Sequence, residues 1–164
     1  MPLVTLSLGS NINPSFHIRE AVKALRAQFD EVRLSPVYES EAVGFSGDNF
    51  LNLVVAMRTA ESPGRLAAAL KALEDRLGRD RSMPRFSGRT IDIDILTYGD
   101  LHGIHEGMEL PRPETIRHAF ILLPMADLLP DGVHPGLGRT WSELRDEFDA
   151  GTQRLWPIDF DWQQ

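Results

Sequence analysis

Residues 78–96 read G-R-D-R-S-M-P-R-F-S-G-R-T-I-D-I-D-I-L, a charged loop running into a strictly alternating segment. Ile91, Ile93 and Ile95 share one parity, Asp92 and Asp94 the other. Successive side chains of a β-strand point to opposite faces, so the spacing predicts a strand with isoleucines in a core and two carboxylates side by side on the far face. Adjacent carboxylates repel unless something positive lies between them, and an oxygen-ligated divalent cation is the usual solution. Arg79, Arg81, Arg85 and Arg89 precede the pair, with Asp80 as the one acid among them. Carboxylates for a metal ion, and arginines for the anion it brings, are the residue types of a phosphoryl-transfer site. A solvated strand face beside a charged loop uses the same residues, and by motif logic alone the two readings stand about even.

Upstream, Ser62-Pro63 is a helix start, Leu66, Leu70, Leu73 and Leu77 form its buried stripe, and Gly78 is its stop. Residues 3–8 read as a first strand, and Ile18, Val22, Leu25 and Phe29 mark one face of a first helix. Residues 31–38 read as a strand with Pro36 at an edge or end, and 39–48 as a mobile loop. Residues 49–59 read as a long strand, with Leu51, Leu53, Val55 and Met57 on one face and Phe50, Asn52, Val54 and Ala56 on the other. An aromatic beside an amide suits a flat heterocycle, but a packed Phe beside a turn-capping Asn explains them better from the residues alone. Downstream, 101–109 is ambiguous, with His102 and His105 in a turn. Residues 114–129 read as helical, with Ile116, Phe120, Leu123 and Leu128 on its face and Pro124 interrupting it. Thr140 caps a last helix through Phe148, and the tail from 149, with Trp156, Phe160 and Trp162, either adds a strand or docks on a partner.

The order β-α-β-β-α-β followed by helices predicts an α+β fold: a ferredoxin-like antiparallel sheet with a helical C-terminal extension, three layers α/β/α. A length of 164 residues predicts one domain over 1–164. A net charge of −7 argues against nucleic acid as a partner, so any positive field must be local to the arginine loop. There is no cysteine, hence no disulfide or thiolate metal site. Neither a signal peptide nor a membrane span is apparent, so a cytoplasmic protein is expected, a monomer or weak dimer without membrane partners.

The motifs L-G-S-N (8–11), F-L-N (50–52), L-E-x-x-x-G-R-x-R (73–81) and G-R-T-I-D-I-D-I-L (88–96) occur in this order. L-P-x-P (110–113), A-F-I-L-L-P-M-A (119–126) and P-D-G-V-H-P (130–135) follow. Together they resemble hydroxymethyldihydropterin pyrophosphokinases over about residues 3–135. The resemblance implies transfer of a diphosphate from ATP to the hydroxymethyl group of a reduced pterin, giving AMP, in folate synthesis. It implies two Mg2+ ions on Asp92 and Asp94, catalytic Arg79 and Arg89 on the moving phosphates, and Arg81 as a further phosphate contact. Glu74, Ile95, Arg112, Arg117 and His118 would complete the ATP site; Ser40, Val43, Phe50, Asn52 and Phe120 would hold the pterin, the two phenylalanines stacking on its faces. The loop between Arg79 and Arg89 would close over bound ATP.

Departures cluster at the nucleotide and pterin pockets. Arg112 stands where the family usually has His, and His118 where it usually has Arg, with Arg117 adjacent. Ser40, Ala42 and Phe86 replace a common Thr, Pro and Trp, and Ser82 stands where some members carry Lys. Two other readings follow from these departures: a paralogue with another acceptor, and a non-catalytic pterin- or nucleotide-binding protein.

Overall fold

The alternation of 91–95 becomes strand β5 (Asp92–Tyr98), entered from a fully buried Ile91. The structure, a computed structural model, describes residues 1–42, 47–78, 90–151 and 153–163. Before β5 come β1 (Leu3–Ser10), α1 (Pro14–Gln28), β2 (Asp30–Leu34), β3 (Val37–Ser40), β4 (Phe50–Arg58) and α2 (Pro63–Arg76). After it come β6 (Gly103–His105), β7 (Met108–Leu110), a 3-10 turn (Pro113–Ile116), α3 (Ala119–Leu128), α4 (Trp141–Glu147) and β8 (Leu155–Ile158). The main sheet has the order β5-β1-β4-β3-β8, with β2 also on β4, and every pairing is antiparallel.

Strand parity sorts the core into two layers. Val4, Leu6 and Leu8 of β1, the odd-numbered face of β4, and Ile93 and Ile95 pack with Ile18, Val22 and Leu25 of α1 and Leu66, Leu70 and Leu73 of α2. On the other face Val54 and Leu96 pack with Ile121, Leu122 and Met125 of α3 and Trp141 of α4. The result is the α+β, ferredoxin-like, three-layer arrangement expected. α2 is capped by Ser62, whose hydroxyl accepts from the Arg65 N–H at 3.4 Å, and Gly78 follows it at φ +89°, a left-handed stop.

Four expectations need correction. The strand over 31–38 is two strands broken at Ser35-Pro36, and both lie on β4. Proline has no N–H for the ladder, and Ser35 compensates: its N–H donates to the Val54 carbonyl and its hydroxyl accepts from the Val54 N–H, both at 2.9 Å. The loop expected from 39 begins later, since Glu39 and Ser40 are held in β3 between β4 and β8. The ambiguous stretch 101–109 leads into a hairpin over 103–110, β6–β7, turned by Glu106 and Gly107 at φ 51° and 79°, as a type I′ turn requires.

The helical region 114–129 breaks at Arg117–His118, while Pro124 lies inside α3 without ending it. Its buried side is Ala119, Ile121, Leu122, Met125 and Ala126; Ile116 is exposed and Phe120 and Leu123 are half-buried. α3 packs between the sheet and α4, so apolar residues surround it and periodicity no longer marks one face. The tail supplies β8, paired to β3, and packs Phe160 against the core beneath the Arg19 guanidinium. No helix among the described residues is long and apolar enough to cross a membrane.

Candidate functional site

One cross-strand row organises the site on the face of the sheet that carries Val54 and Leu96: Asp92 lies opposite Gly9, Gly9 opposite Asn52, and Asn52 opposite Tyr38. Asp94 lies opposite Ser7 in the adjoining row. Directly opposed residues share a face, so Asp92, Asp94 and Asn52 project to the same side, with Asp92 and Asn52 about 10 Å apart across two strand spacings. Gly9 stands between them. A Cβ there would sit 3.2 Å from Asn52 Oδ1 and 3.9 Å from a Phe50 ring carbon, so the missing side chain keeps the path between carboxylates and amide open.

At the carboxylate end β5 is the edge of the sheet among the described residues, and Glu74 and Arg112 bond to its outer backbone groups. The buried Glu74 carboxylate accepts from the Ile93 N–H at 2.7 Å. Arg112 donates from Nε to the Ile95 carbonyl at 3.1 Å and from its backbone N–H to the Leu96 carbonyl at 2.8 Å. Thus anchored, its guanidinium lies 3.7 Å from Asp94 and 3.6 Å from Glu114. Lys71, Glu74, Asp92, Asp94, Ile95 and Arg112 line a cavity of about 290 Å³. Among the described residues no group of three or more His, Asp or Glu side chains could cage a metal. Two adjacent carboxylates suit Mg2+, which usually takes one or two from protein and completes its octahedron with water and phosphate oxygens. The donor set therefore fits that ion.

At the other end Asn52 and Ser40 are both buried, and Asn52 Nδ2 donates to Ser40 Oγ at 2.8 Å. A second cavity, of about 230 Å³, opens between Ser40 and Ala42 on one side and Phe120 on the other. Phe120 is the second residue of α3, and the His118 ring stacks on it at 4.9 Å and 20°. Burial pushes the His118 pKa down, the Arg117 charge adds to this, and Glu114 opposes it. Beneath Asn52 in its row, the Tyr38 hydroxyl donates to Asp127, which faces Arg145 at 3.8 Å. Burial first, and then Asp127, raises the Tyr38 pKa well above the ordinary phenol range. A wider cavity, about 600 Å³, lies by the α1 N-terminus against Glu39 and Leu51, which strand parity puts on the opposite face from Asn52.

The structure thus gathers Glu74, Asp92, Asp94, Ile95 and Arg112 at one end and Ser40, Phe50, Asn52, His118 and Phe120 toward the other, with Arg117 exposed beside His118. Val43, Arg79, Arg81 and Arg89 lie outside the described residues, and so does the loop expected to close over ATP. Sequence reasoning missed Gly9, Lys71 and the tail residues Gln153 and Arg154, which line the second cavity. Only the L-G-S-N match touched Gly9, and no local pattern marks the tail pair.

Residues 5–130 match the sequence model of 7,8-dihydro-6-hydroxymethylpterin-pyrophosphokinase. The 2-amino-4-hydroxy-6-hydroxymethyldihydropteridine pyrophosphokinase of Synechocystis is 32% identical over 156 residues, covering 93% of this chain and 78% of that protein. That of Aquifex aeolicus is 32% identical over 149 residues, covering 90% and 92%. A solved chain of Plasmodium falciparum HPPK-DHPS superposes with a TM-score of 0.72 over 88% of this chain and 41% of its own, at 14% identity, a likeness of fold.

Proposed function

The chain belongs to the 7,8-dihydro-6-hydroxymethylpterin-pyrophosphokinase family, the enzymes that transfer diphosphate from ATP to hydroxymethyldihydropterin in folate biosynthesis, and we propose that it performs this transfer along the Asp92–Gly9–Asn52 row. That row carries the reading: the carboxylate pair and the buried amide share one face, Asp92 about 10 Å from Asn52, and the residue between those two in the row is a glycine.

On this reading the pterin enters the cavity beside Ser40, its ring between Phe50 and Phe120, and Asn52 reads its polar edge. Val43, outside the described residues, is assigned to the pterin by the family resemblance alone. The hydroxymethyl arm then points over Gly9 toward Asp92 and Asp94. ATP occupies the cavity at the edge of β5, its adenylate side against Glu74 and Ile95, with Arg112, Arg117 and His118 toward its phosphates. Arg112 enters already oriented by its bond to the Ile95 carbonyl, which leaves its terminal nitrogens beside Asp94. Arg79, Arg81 and Arg89 follow α2 in the chain and supply the remaining positive charge.

Asp92 and Asp94 would hold Mg2+, two ions in our reading, which when bound neutralises the phosphates and orients them. The pterin hydroxyl oxygen bonds to the β-phosphorus as the bond from that phosphorus to the α-phosphate oxygen breaks. The hydroxyl proton passes to solvent, and AMP leaves with the bridging oxygen. Such a transfer needs positioning and charge neutralisation rather than covalent help from the protein. We read residues 1–164 as one such domain, a cytoplasmic monomer or weak dimer acting on small molecules without nucleic acid or membrane, in keeping with the net charge of −7.

Incubation with ATP, Mg2+ and 6-hydroxymethyl-7,8-dihydropterin is expected to release AMP only when the pterin is present. Release of ADP, or of AMP without pterin, overturns the reading.

A further inference from the structure

The cavity beside Phe120 takes one wall from Gln153 and Arg154, beyond residues 5–130 that match the family. Gln153 Oε1 accepts from the Ala119 N–H at 2.7 Å, and its Nε2 donates to the Arg117 carbonyl at 3.1 Å. These two backbone groups flank His118, whose ring lies on Phe120. Ala119 opens α3, where an N–H has no carbonyl partner within the helix. The N-cap residue, His118, makes no side-chain cap bond, and Gln153 takes its place from 34 residues away. A primary carboxamide presents a donor and an acceptor in one plane, which is what a bridge between a C=O and an N–H needs.

The next residue ties down the opposite wall. The Arg154 carbonyl accepts from the Glu41 N–H at 3.2 Å, and its guanidinium lies 3.5 Å from the Glu41 carboxylate, one residue beyond Ser40. Leu155 then begins β8, opposite Ser40 in the sheet. Two consecutive tail residues therefore join the Phe120 wall to the Ser40 wall.

We infer that Gln153 is a positioning residue for the pterin: by fixing the backbone on both sides of His118 it sets the width of the slot between Phe120 and the Ser40–Asn52 pair. The inference rests on the pterin reading of that cavity. Gln153 stands away from Asp92 and Asp94 and reaches the ATP phosphates only through the backbone at Arg117 and His118, whereas Phe120 forms a wall of the pterin slot itself, so loss of Gln153 raises the pterin KM more than the ATP KM and leaves turnover nearly unchanged.

The test compares Gln153→Ala and Gln153→Glu with the parent chain, measuring kcat, the KM for each substrate and Tm. Gln153→Ala is expected to raise the pterin KM about tenfold, equivalent to about 1.4 kcal/mol. Its ATP KM and its kcat at saturating pterin stay within about threefold. Gln153→Glu keeps the acceptor for Ala119 and loses the donor to Arg117, so its pterin KM falls between the two. Unchanged pterin KM in both variants overturns the inference. So does an equal rise in both KM values with a lowered Tm, which assigns Gln153 to stability alone. Fluorescence titration with pterin separates this from the function itself: a parent chain that binds pterin without transferring diphosphate overturns the activity only, and the pterin affinity of Gln153→Ala then decides the inference. A parent chain that binds no pterin overturns both.

Discussion

Asp94 stands on the face of β5 that carries Leu96, with the Arg112 guanidinium 3.7 Å away. Asp94→Asn keeps the shape and removes the charge. A lost electrostatic contact to a transferring phosphoryl group lowers the rate by about 10²- to 10³-fold, so AMP formation should fall by at least that much while the Tm stays near that of the parent chain. Asn52 argues differently, because it is buried and its amide holds Ser40. Asn52→Ala leaves a buried hydroxyl without its donor and deprives the pterin edge of a partner, at about 1–3 kcal/mol. Steady-state kinetics should show the pterin KM raised tenfold or more. The two residues were not equally legible. Alternation alone singles out Asp92 and Asp94, whereas Phe50 and Asn52 read as ordinary strand residues until the family resemblance distinguishes them. Gly9 becomes meaningful only when β1 is laid between β4 and β5.

At the scale of elements, β5 and α2 were legible because each has one buried face and a clear stop. α3 was not, since neighbours on two sides remove the polar face that marks a period. The break between β2 and β3 was hidden for another reason: the Ser35 side chain replaces a ladder bond, and nothing in the local sequence announces it. α4 is short and leans on its cap, in which Thr140 accepts from the Glu143 N–H and the Glu143 carboxylate accepts from the Thr140 N–H. Thr140→Ala removes half of that reciprocal pair and should cost about 1 kcal/mol. Chemical denaturation would register the loss, and pterin-dependent AMP formation should be unchanged.

For the whole molecule, two histidines link stability to pH. His134 is buried with Nδ1 accepting from the Gly136 and Leu137 N–H groups at 3.0 Å, an arrangement that requires its neutral form. Burial lowers the pKa of both His134 and His118 below the ordinary 6.5. Between those lowered values and 6.5 the unfolded chain binds more protons than the folded one, so stability rises with pH through that window. The contribution is present above pH 6.5 and lost as pH falls through the folded values. Melting curves from pH 7.5 downward should show it, and His134→Asn, which keeps an acceptor that cannot be protonated there, should flatten the slope. A slope equal to that of the parent chain would count against this assignment.

On the proposed reading a diphosphate, not a single phosphate, crosses from the cavity at Asp92 and Asp94 to the one beside Asn52. ATP labelled at its β-phosphorus tests this directly. The label is predicted to appear in the pterin product, with unlabelled AMP as the other product and with both lost in Asp94→Asn. Label retained in ADP, or found in a product without pterin, would contradict the account.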